Sequence, residues 1–121
     1  MKLEFKKSFS DVRGIILFCS FGKSSLHFVK TKKGFSRGGH YHKFKSDHIL
    51  LQGKIEFTEF NIATNSEKIR ILSAPITISV EHNIAHLLTA LEDSIFLEYF
   101  NSEYSSTDYI PYRTIVEKKM K

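Results

Sequence analysis

Two histidines stand one residue apart in the glycine-flanked stretch GFSRGGHYHKFKSDHILLQG, which spans residues 34–53. If this stretch is a strand, His40 and His42 point to the same side, so both imidazoles can meet one ion or one substrate atom. Imidazole also titrates near neutral pH, so the pair can move protons. The spacing therefore favours a metal site or an acid–base pair over two unrelated loop residues.

A carboxylate follows the histidine pair. We expect the four residues after His42 to turn the chain and bring Asp47 back beside the pair. In the next strand, Asp47 shares a face with Ile49 and Leu51, where a carboxylate needs a partner. Histidine nitrogens together with a carboxylate oxygen suit zinc, iron, manganese or nickel.

A further ligand or catalytic partner is expected from the run AHLLTAL. If the run is a strand, His86 shares its face with Leu88 and Ala90 and points into the interior, where an imidazole needs a partner. We expect the remaining histidines to face solvent: His27, His48 and His82.

The composition describes a globular chain of 121 residues with 41% hydrophobic and 26% charged residues. Cys19 is the only cysteine, so no disulfide forms within the chain, which favours a reducing compartment. We see neither a secretory signal nor an apolar run of bilayer length, and we expect a cytoplasmic protein with no membrane partner. The net charge of +5 favours anionic ligands, but no aromatic–basic stripe points to nucleic acid.

Short β-rich runs recur along the chain, separated by turn-type residues. They are GIILFCSF, SLHFV, DHILLQ, KIEFTEF, KIRIL, ITISV, AHLLTAL and IFLEYF. Such spacing predicts an all-β sandwich or barrel. We found no stretch with sustained helical periodicity, and we predict no long helix.

Residues 34–53 resemble the first motif of the cupin family, G-x5-H-x-H-x3,4-E-x6-G. His40 and His42 match its histidines, and Asp47 stands in place of its glutamate, with one residue fewer before the last glycine. The segment SVEHNIAHLL resembles the second motif, with His86 as its histidine. The resemblance implies a cupin double-stranded β-helix, a jelly-roll barrel, with no organic cofactor. It leaves open both a divalent metal held by these four residues and chemistry without a metal.

A narrower resemblance lies in FSDVRG and SRGGHYHK, at residues 9–14 and 36–43. Both are similar to sugar-nucleotide cupins: dTDP-4-dehydrorhamnose 3,5-epimerase, the dTDP-4-keto-6-deoxyglucose 3,4-ketoisomerases and the cupin half of capsular-polysaccharide reductases. In the ketoisomerases, a similar segment carries the catalytic histidines, which match His40 and His42. In the capsular relatives, a carboxylate at the offset of Asp47 helps to hold a metal. The resemblance implies an isomerase or epimerase that acts on a nucleotide-linked keto-sugar in surface-polysaccharide synthesis.

Three cationic residues are candidates for substrate binding. The planar guanidinium groups of Arg13 and Arg37 suit the phosphate oxygens of a nucleotide diphosphate. Lys43 can stabilise the negative charge of an enediolate intermediate.

We expect a single cupin domain over residues 1–121. Residues 1–33 form N-terminal strands, residues 34–100 form the barrel with both motifs, and residues 101–121 form a C-terminal extension. Related cupins pair through N-terminal strands, so we expect a homodimer.

The sequence favours an enzyme but leaves other functions open. One alternative is a metal-binding cupin with different chemistry, such as an iron dioxygenase or a small-molecule isomerase. Another is a ligand-binding cupin with no catalytic activity.

Overall fold

The computed structural model describes residues 2–121. Within them, eleven strands and one helix follow one another. The strands are β1 (Leu3–Asp11), β2 (Gly14–Phe21), β3 (Ser24–Thr31), β4 (Ser36–Tyr41), β5 (Ser46–Gln52), β6 (Lys54–Asn61), β7 (Ser66–Ser73), β8 (Ile76–Val80), β9 (Ile84–Ala90), β10 (Ser94–Phe100) and β11 (Thr107–Asp108). The helix, α1, covers Ile110–Lys119. No helix in this described range is long and apolar enough to cross a membrane.

The strands form two antiparallel sheets. One sheet has the order β1-β2-β3-β10-β5-β8, and the other has the order β11-β4-β9-β6-β7. The core lies between them and draws buried side chains from both: Val29, Leu50, Ile55, Phe57, Ile78, Val80, Leu88 and Phe96. The predicted all-β, single-domain fold class is confirmed.

Strand β9 is buried on both faces. Ala85 and Leu87 pack against Tyr112 and Val116 of α1, while Leu88 faces the core between the sheets. A strand covered on both sides needs apolar residues at nearly every position, which explains why AHLLTAL lacks polar alternation. The prediction of a strand here is confirmed.

Helix α1 was not predicted. Pro111 occupies the start of the helix, where its missing N–H costs nothing, and Lys118 and Lys119 lie in the last turn, where cations favour the helix dipole. The sequence predicts only a C-terminal extension over this segment. In the structure, the helix covers the outer face of the five-stranded sheet.

The N-terminal strands share a sheet with strands of the barrel, because β3 pairs with β10 along its length. The division of the chain at residues 34 and 101 stays a prediction.

Candidate metal centre

A bulge in β4 aims His40 into the interior. The partners of Arg37 and Gly38 on β9 are Leu88 and Leu87, and after a register shift His40 pairs with His86. Gly38 and Gly39 have φ values of +92° and +80°, which favour glycine. Because the bulge inserts a residue, Arg37 and His40 both lie on the inner face although they are three residues apart.

The three histidines predicted from the two motifs come together. The ligand nitrogens of His40, His42 and His86 all lie within 4.8 Å of one another. The ring centroid of His40 is 4.9 Å from those of both His42 and His86, and the last two are 5.3 Å apart. One ion or one substrate atom can therefore contact all three rings.

Hydrogen bonds fix the position of the proton on two of these rings, His42 and His86. Nδ1 of His42 donates to the carbonyl oxygen of Ser105 at 2.7 Å, and Nδ1 of His86 contacts the carbonyl oxygen of Ile84 at 3.3 Å. A carbonyl only accepts, so these Nδ1 atoms carry the protons and each Nε2 keeps a lone pair. The Nε2 atoms of His40, His42 and His86 are buried without a partner. Bare, converging imidazole nitrogens fit a transition-metal ion.

Burial also keeps these rings neutral. It lowers the pKa of His40 from 6.5 to about 4, although Glu98 opposes the shift. Burial likewise lowers the pKa of His42, and it lowers the pKa of His86 well below 6.5, with nearby imidazoles adding to the effect. A metal binds only the neutral imidazole, so at pH 7 the cluster is in its ligating form.

The structure does not bring Asp47 to this cluster. Its carboxylate accepts a hydrogen bond from Ser79 Oγ at 2.6 Å, on the outer face of the sheet. Ser46 and His48, on either side of it, are buried at 1% and 2% exposure. The prediction that Asp47 lies on the inner face of β5 was therefore wrong. The register is shifted by one residue, so that Ser46 and His48 face inward and Asp47 faces outward.

The carboxylate that does reach the cluster is Glu98, on β10. Its Oε2 lies 3.0 Å from Nε2 of His48, and its Oε1 lies 3.6 Å from Nδ1 of His27. His48, His86 and Glu98 form a second group whose ligand atoms lie within 4.8 Å of one another. The prediction that His27 and His48 face solvent was wrong, since they are 3% and 2% exposed.

The sequence carried a signal for Glu98 that we missed. Glu98 alternates with Phe96 and Phe100, both of which are buried. An acid on an apolar strand face needs a partner, by the reasoning we applied to Asp47. Burial raises the pKa of Glu98, but His27 and His48 outweigh it and hold that pKa well below 4.5. Glu98 is therefore a carboxylate at neutral pH.

An inner cavity of about 190 Å³ opens beside His40 and is lined by Glu98 and three arginines. Arg37 is 5% exposed and donates to Thr31 Oγ1 and to the carbonyl oxygen of Lys30, yet its Nη1 is buried without a partner. An unpartnered buried guanidinium nitrogen is a ready donor to an anionic group.

The other two arginines are held in place. The Arg13 guanidinium donates to the Asp11 carboxylate, with Nη2 at 2.7 Å and Nε at 3.0 Å. Arg113 Nη1 donates to the carbonyl oxygen of Gly38 at 2.9 Å. Arg13 and Arg37 thus both line the cavity as candidates for anion binding. Lys43 is exposed in the turn after β4 and lines neither this cavity nor the groove described next.

A larger groove of about 1020 Å³ adjoins the inner cavity. Phe18, His27 and Tyr104 line both spaces, so the two are neighbours at these side chains. The groove also carries three lysines: Lys6, Lys7 and Lys23.

No protein-family model and no curated protein sequence matches the chain. Solved structures do. Oxalate decarboxylase from Lactobacillus farciminis, in a formate complex, matches with a TM-score of 0.76 at 19% identity, over 90% of this chain and 35% of that one. Bacillus subtilis oxalate decarboxylase, described with Mn(II) centres, matches with a TM-score of 0.76 at 17% identity, over 85% of this chain and 30% of that one.

The capsular polysaccharide assembling protein CapF from Staphylococcus aureus matches with a TM-score of 0.72 at 15% identity, over 82% of this chain and 29% of that one. The chain therefore spans about a third of the length of these proteins. At such low identities the likeness establishes the fold alone. The chain has the cupin fold, with a cluster of histidines and a glutamate inside it.

Proposed function

We propose that this protein is an isomerase or epimerase that acts on a nucleotide-linked keto-sugar of surface-polysaccharide synthesis. The observation that carries the proposal is the pairing of two spaces: a small cavity at the imidazole cluster and a lysine-lined groove that shares three side chains with it. The fold is shared with CapF, which is described as assembling capsular polysaccharide, and this supports the assignment to surface-polysaccharide synthesis.

The cavity sets the size of the reacting group. Its volume of about 190 Å³ is below the roughly 300 Å³ at which pockets for drug-sized molecules begin. A single sugar ring suits this space. The space is too small to hold a nucleotide diphosphate in addition to the sugar. The rest of such a substrate would lie in the groove, where Lys6, Lys7 and Lys23 offer positive charge to the phosphates.

The chain's own residues supply binding and proton transfer. Arg37 Nη1 donates to an oxygen of the bound sugar. In the absence of an ion, Nε2 of His40 and of His42 are the bases that take and return the proton α to the ketone. Ligand nitrogens of these two residues lie within 4.8 Å of each other, so one reacting group is within reach of both.

His40, His42 and His86 are also the residues that would hold a divalent ion, zinc, iron, manganese or nickel. Such an ion supplies Lewis-acid polarisation of the ketone. Its ligands then have no lone pair left for a proton. His27, oriented by Glu98 and lining the cavity, is the imidazole that remains to take and return it.

The test is proton exchange in D₂O. The purified protein is incubated with dTDP-4-keto-6-deoxyglucose, and ¹H NMR follows the protons α to the ketone and the appearance of an isomer. We expect exchange with the wild type, none with His40→Ala, and wild-type exchange with His82→Ala, which changes an exposed histidine. Neither exchange nor a new sugar with the wild-type protein, metal-free or loaded with each of the four ions, would refute the proposal.

A second candidate is chemistry on a small carboxylic acid. It is favoured by the three arginines and the unpartnered Arg37 nitrogen in a cavity of only about 190 Å³. The fold is also shared with oxalate decarboxylases. Formation of formate from oxalate by the manganese-loaded protein, with no reaction of the nucleotide sugar, would establish this alternative. Binding of either compound without conversion would indicate a ligand-binding cupin.

A further inference from the structure

We propose that His48 is a fourth imidazole ligand of the ion held by His40, His42 and His86, and that Glu98 orients its ring. The proposal rests on the metal-binding part of the proposed function, but it does not depend on the identity of the substrate. It assigns a role to two residues, His48 and Glu98, that neither cupin motif predicts.

The hydrogen bonding of His48 follows the pattern of the other ligands. Its Nε2 lies 3.0 Å from Oε2 of Glu98, and a carboxylate only accepts, so Nε2 carries the proton. The lone pair is then on Nδ1, which is buried and has no partner. In His42, likewise, one ring nitrogen donates to an oxygen and the other is bare. Metal-bound imidazoles have this arrangement, with a carboxylate or carbonyl accepting the second N–H.

The position of His48 is also suitable. Its ring centroid is 5.1 Å from that of His86, and the ligand atoms of the two residues lie within 4.8 Å. Two ligands of one ion are at most about 4.2 Å apart, twice a metal–nitrogen bond. His48 falls in a group with His86 and Glu98 and not with His40 and His42. Its ring must therefore move closer to His40 and His42 to join them at one ion.

The inner face of β5 supplies no competing ligand. Ser46 precedes His48 on that face, and its Oγ is buried without a partner. A serine hydroxyl is neutral and a weak ligand compared with an imidazole or a carboxylate. Asp47 faces the other way. His48 is thus the inward residue of this strand that can bind an ion.

The proposal has a consequence for metal choice. In the proposed site four neutral nitrogen atoms bind the ion, and the carboxylate of Glu98 stays outside the coordination sphere. Such a site favours zinc, nickel or cobalt over manganese, which prefers oxygen ligands. Such a centre differs in donor type from a site that includes a carboxylate.

The experiment is a calorimetric titration of the tag-free, metal-free protein with zinc chloride and, separately, with manganese chloride. We expect zinc to bind at least 100-fold more tightly than manganese. His48→Gln should weaken zinc binding by at least 100-fold and Glu98→Gln by about 10- to 100-fold, the usual effect of losing an outer partner. His82→Gln, an exposed histidine, is the matched control and should remain within twofold of the wild type.

A crystal structure of the zinc-loaded wild type provides a second test that needs no variant to fold. We expect His48 Nδ1 at about 2.0–2.1 Å from the zinc. An ion bound by the other three histidines with His48 Nδ1 more than about 3 Å away overturns the proposal, as does unchanged zinc affinity in His48→Gln. Absence of zinc binding by the wild type overturns it as well. None of these results decides whether the nucleotide sugar reacts, which the exchange experiment measures separately.

Discussion

Buried side-chain nitrogen and oxygen atoms without a partner are concentrated in one place. Of the seven such atoms in the described part of the chain, four belong to the two histidine groups, in His40, His42, His48 and His86, and a fifth belongs to Ser46, which precedes His48 on the inner face of β5. Each costs on the order of 1–3 kcal/mol when it is left unpaired in the interior. The protein therefore sacrifices stability at this point, which is typical of a site shaped for a ligand.

The lowered pKa of His40 predicts acid sensitivity of the metal-free protein. Between pH 6.5 and about 4, the unfolded chain binds a proton at His40 that the folded chain does not. The free energy of unfolding therefore has its full value, as far as His40 is concerned, above pH 6.5. It falls as the pH drops, by about 3 kcal/mol from this residue. Urea unfolding at pH 7 and pH 4.5 should show a smaller loss in His40→Gln than in the wild type. Equal losses would contradict the prediction, and His82→Gln should behave as the wild type.

Glu98 also makes the protein less stable in acid, but through the loss of a favourable negative charge. Its pKa is held well below 4.5, so its stabilising effect is present above pH 4.5 and is lost as the pH falls through the lower folded-state pKa. We expect Glu98→Gln to lower the free energy of unfolding by about 1.5–3 kcal/mol at pH 7, the usual value of a hydrogen bond to a charged group. Urea unfolding from pH 7 to pH 3 should show this difference narrowing below pH 4.5. A difference that does not change with pH would argue against it; Glu92→Gln, at an exposed site, is the control.

At the scale of elements, the glycine bulge of β4 decides where His40 points. Gly38 and Gly34 have the same φ of +92°, but a Cβ on Gly38 would lie 2.8 Å from the carbonyl oxygen of His86, whereas one on Gly34 would meet nothing within 4 Å. A comparison of alanine variants at these two positions therefore separates the effect of backbone strain from the effect of steric contact.

We expect both alanine variants to lose about 1 kcal/mol through the unfavourable φ. Gly38→Ala should lose a further 1–3 kcal/mol or so, because β4 must move away from β9. Urea unfolding measures both losses, and calorimetry with zinc should show weakened binding in Gly38→Ala only. Similar results for the two variants would mean that the contact with His86 does not position the site.

For strand β5, the sequence predicted the strand but not which of its faces points inward. The strand itself was predicted, but its inner face was assigned to Asp47 because Ile49 and Leu51 share that face. Leu50 and His48 on the other side form an equally plausible pattern, and the length of the preceding turn decides between them. The number of residues in that turn depends on how β4 and β5 are placed in space, and a single sequence does not show this placement.

The histidine triad was predictable for a different reason. His40 and His42 are close in sequence, and a resemblance to a known motif supplied His86. Glu98 has neither advantage, since it meets His48 only through the pairing of β10 with β5. Helix α1 was missed because only two of its residues, Tyr112 and Val116, are buried, which is too few to give a helical periodicity in the sequence.

At the scale of the whole molecule, the edge of the six-stranded sheet is exposed. On β1, the outermost strand, Phe5 is 68% exposed and Phe9 is 51% exposed. An uncovered edge with apolar side chains favours pairing with another chain. We therefore expect a homodimer that uses β1.

Sedimentation velocity at micromolar concentration tests this expectation. Phe5→Lys should convert the dimer to a monomer, because a charge replaces an apolar contact. Ile71→Lys is the matched control, since Ile71 is 53% exposed on β7, the edge strand of the other sheet, and this variant should remain dimeric. A monomeric wild type, or dissociation by Ile71→Lys instead, would rule out the β1 interface.

The site depends on the C-terminal segment, which is synthesised after all the histidines. The carbonyl that orients His42 belongs to Ser105, the guanidinium that holds Gly38 belongs to Arg113, and the side chain of Val116 covers the back of the strand that carries His86. A ribosome that has made residues 1–100 has already produced every histidine of the cluster, but none of these supports. The nascent chain thus carries the proposed ligands before it can arrange them, and we expect any capture of an ion to follow the emergence of α1.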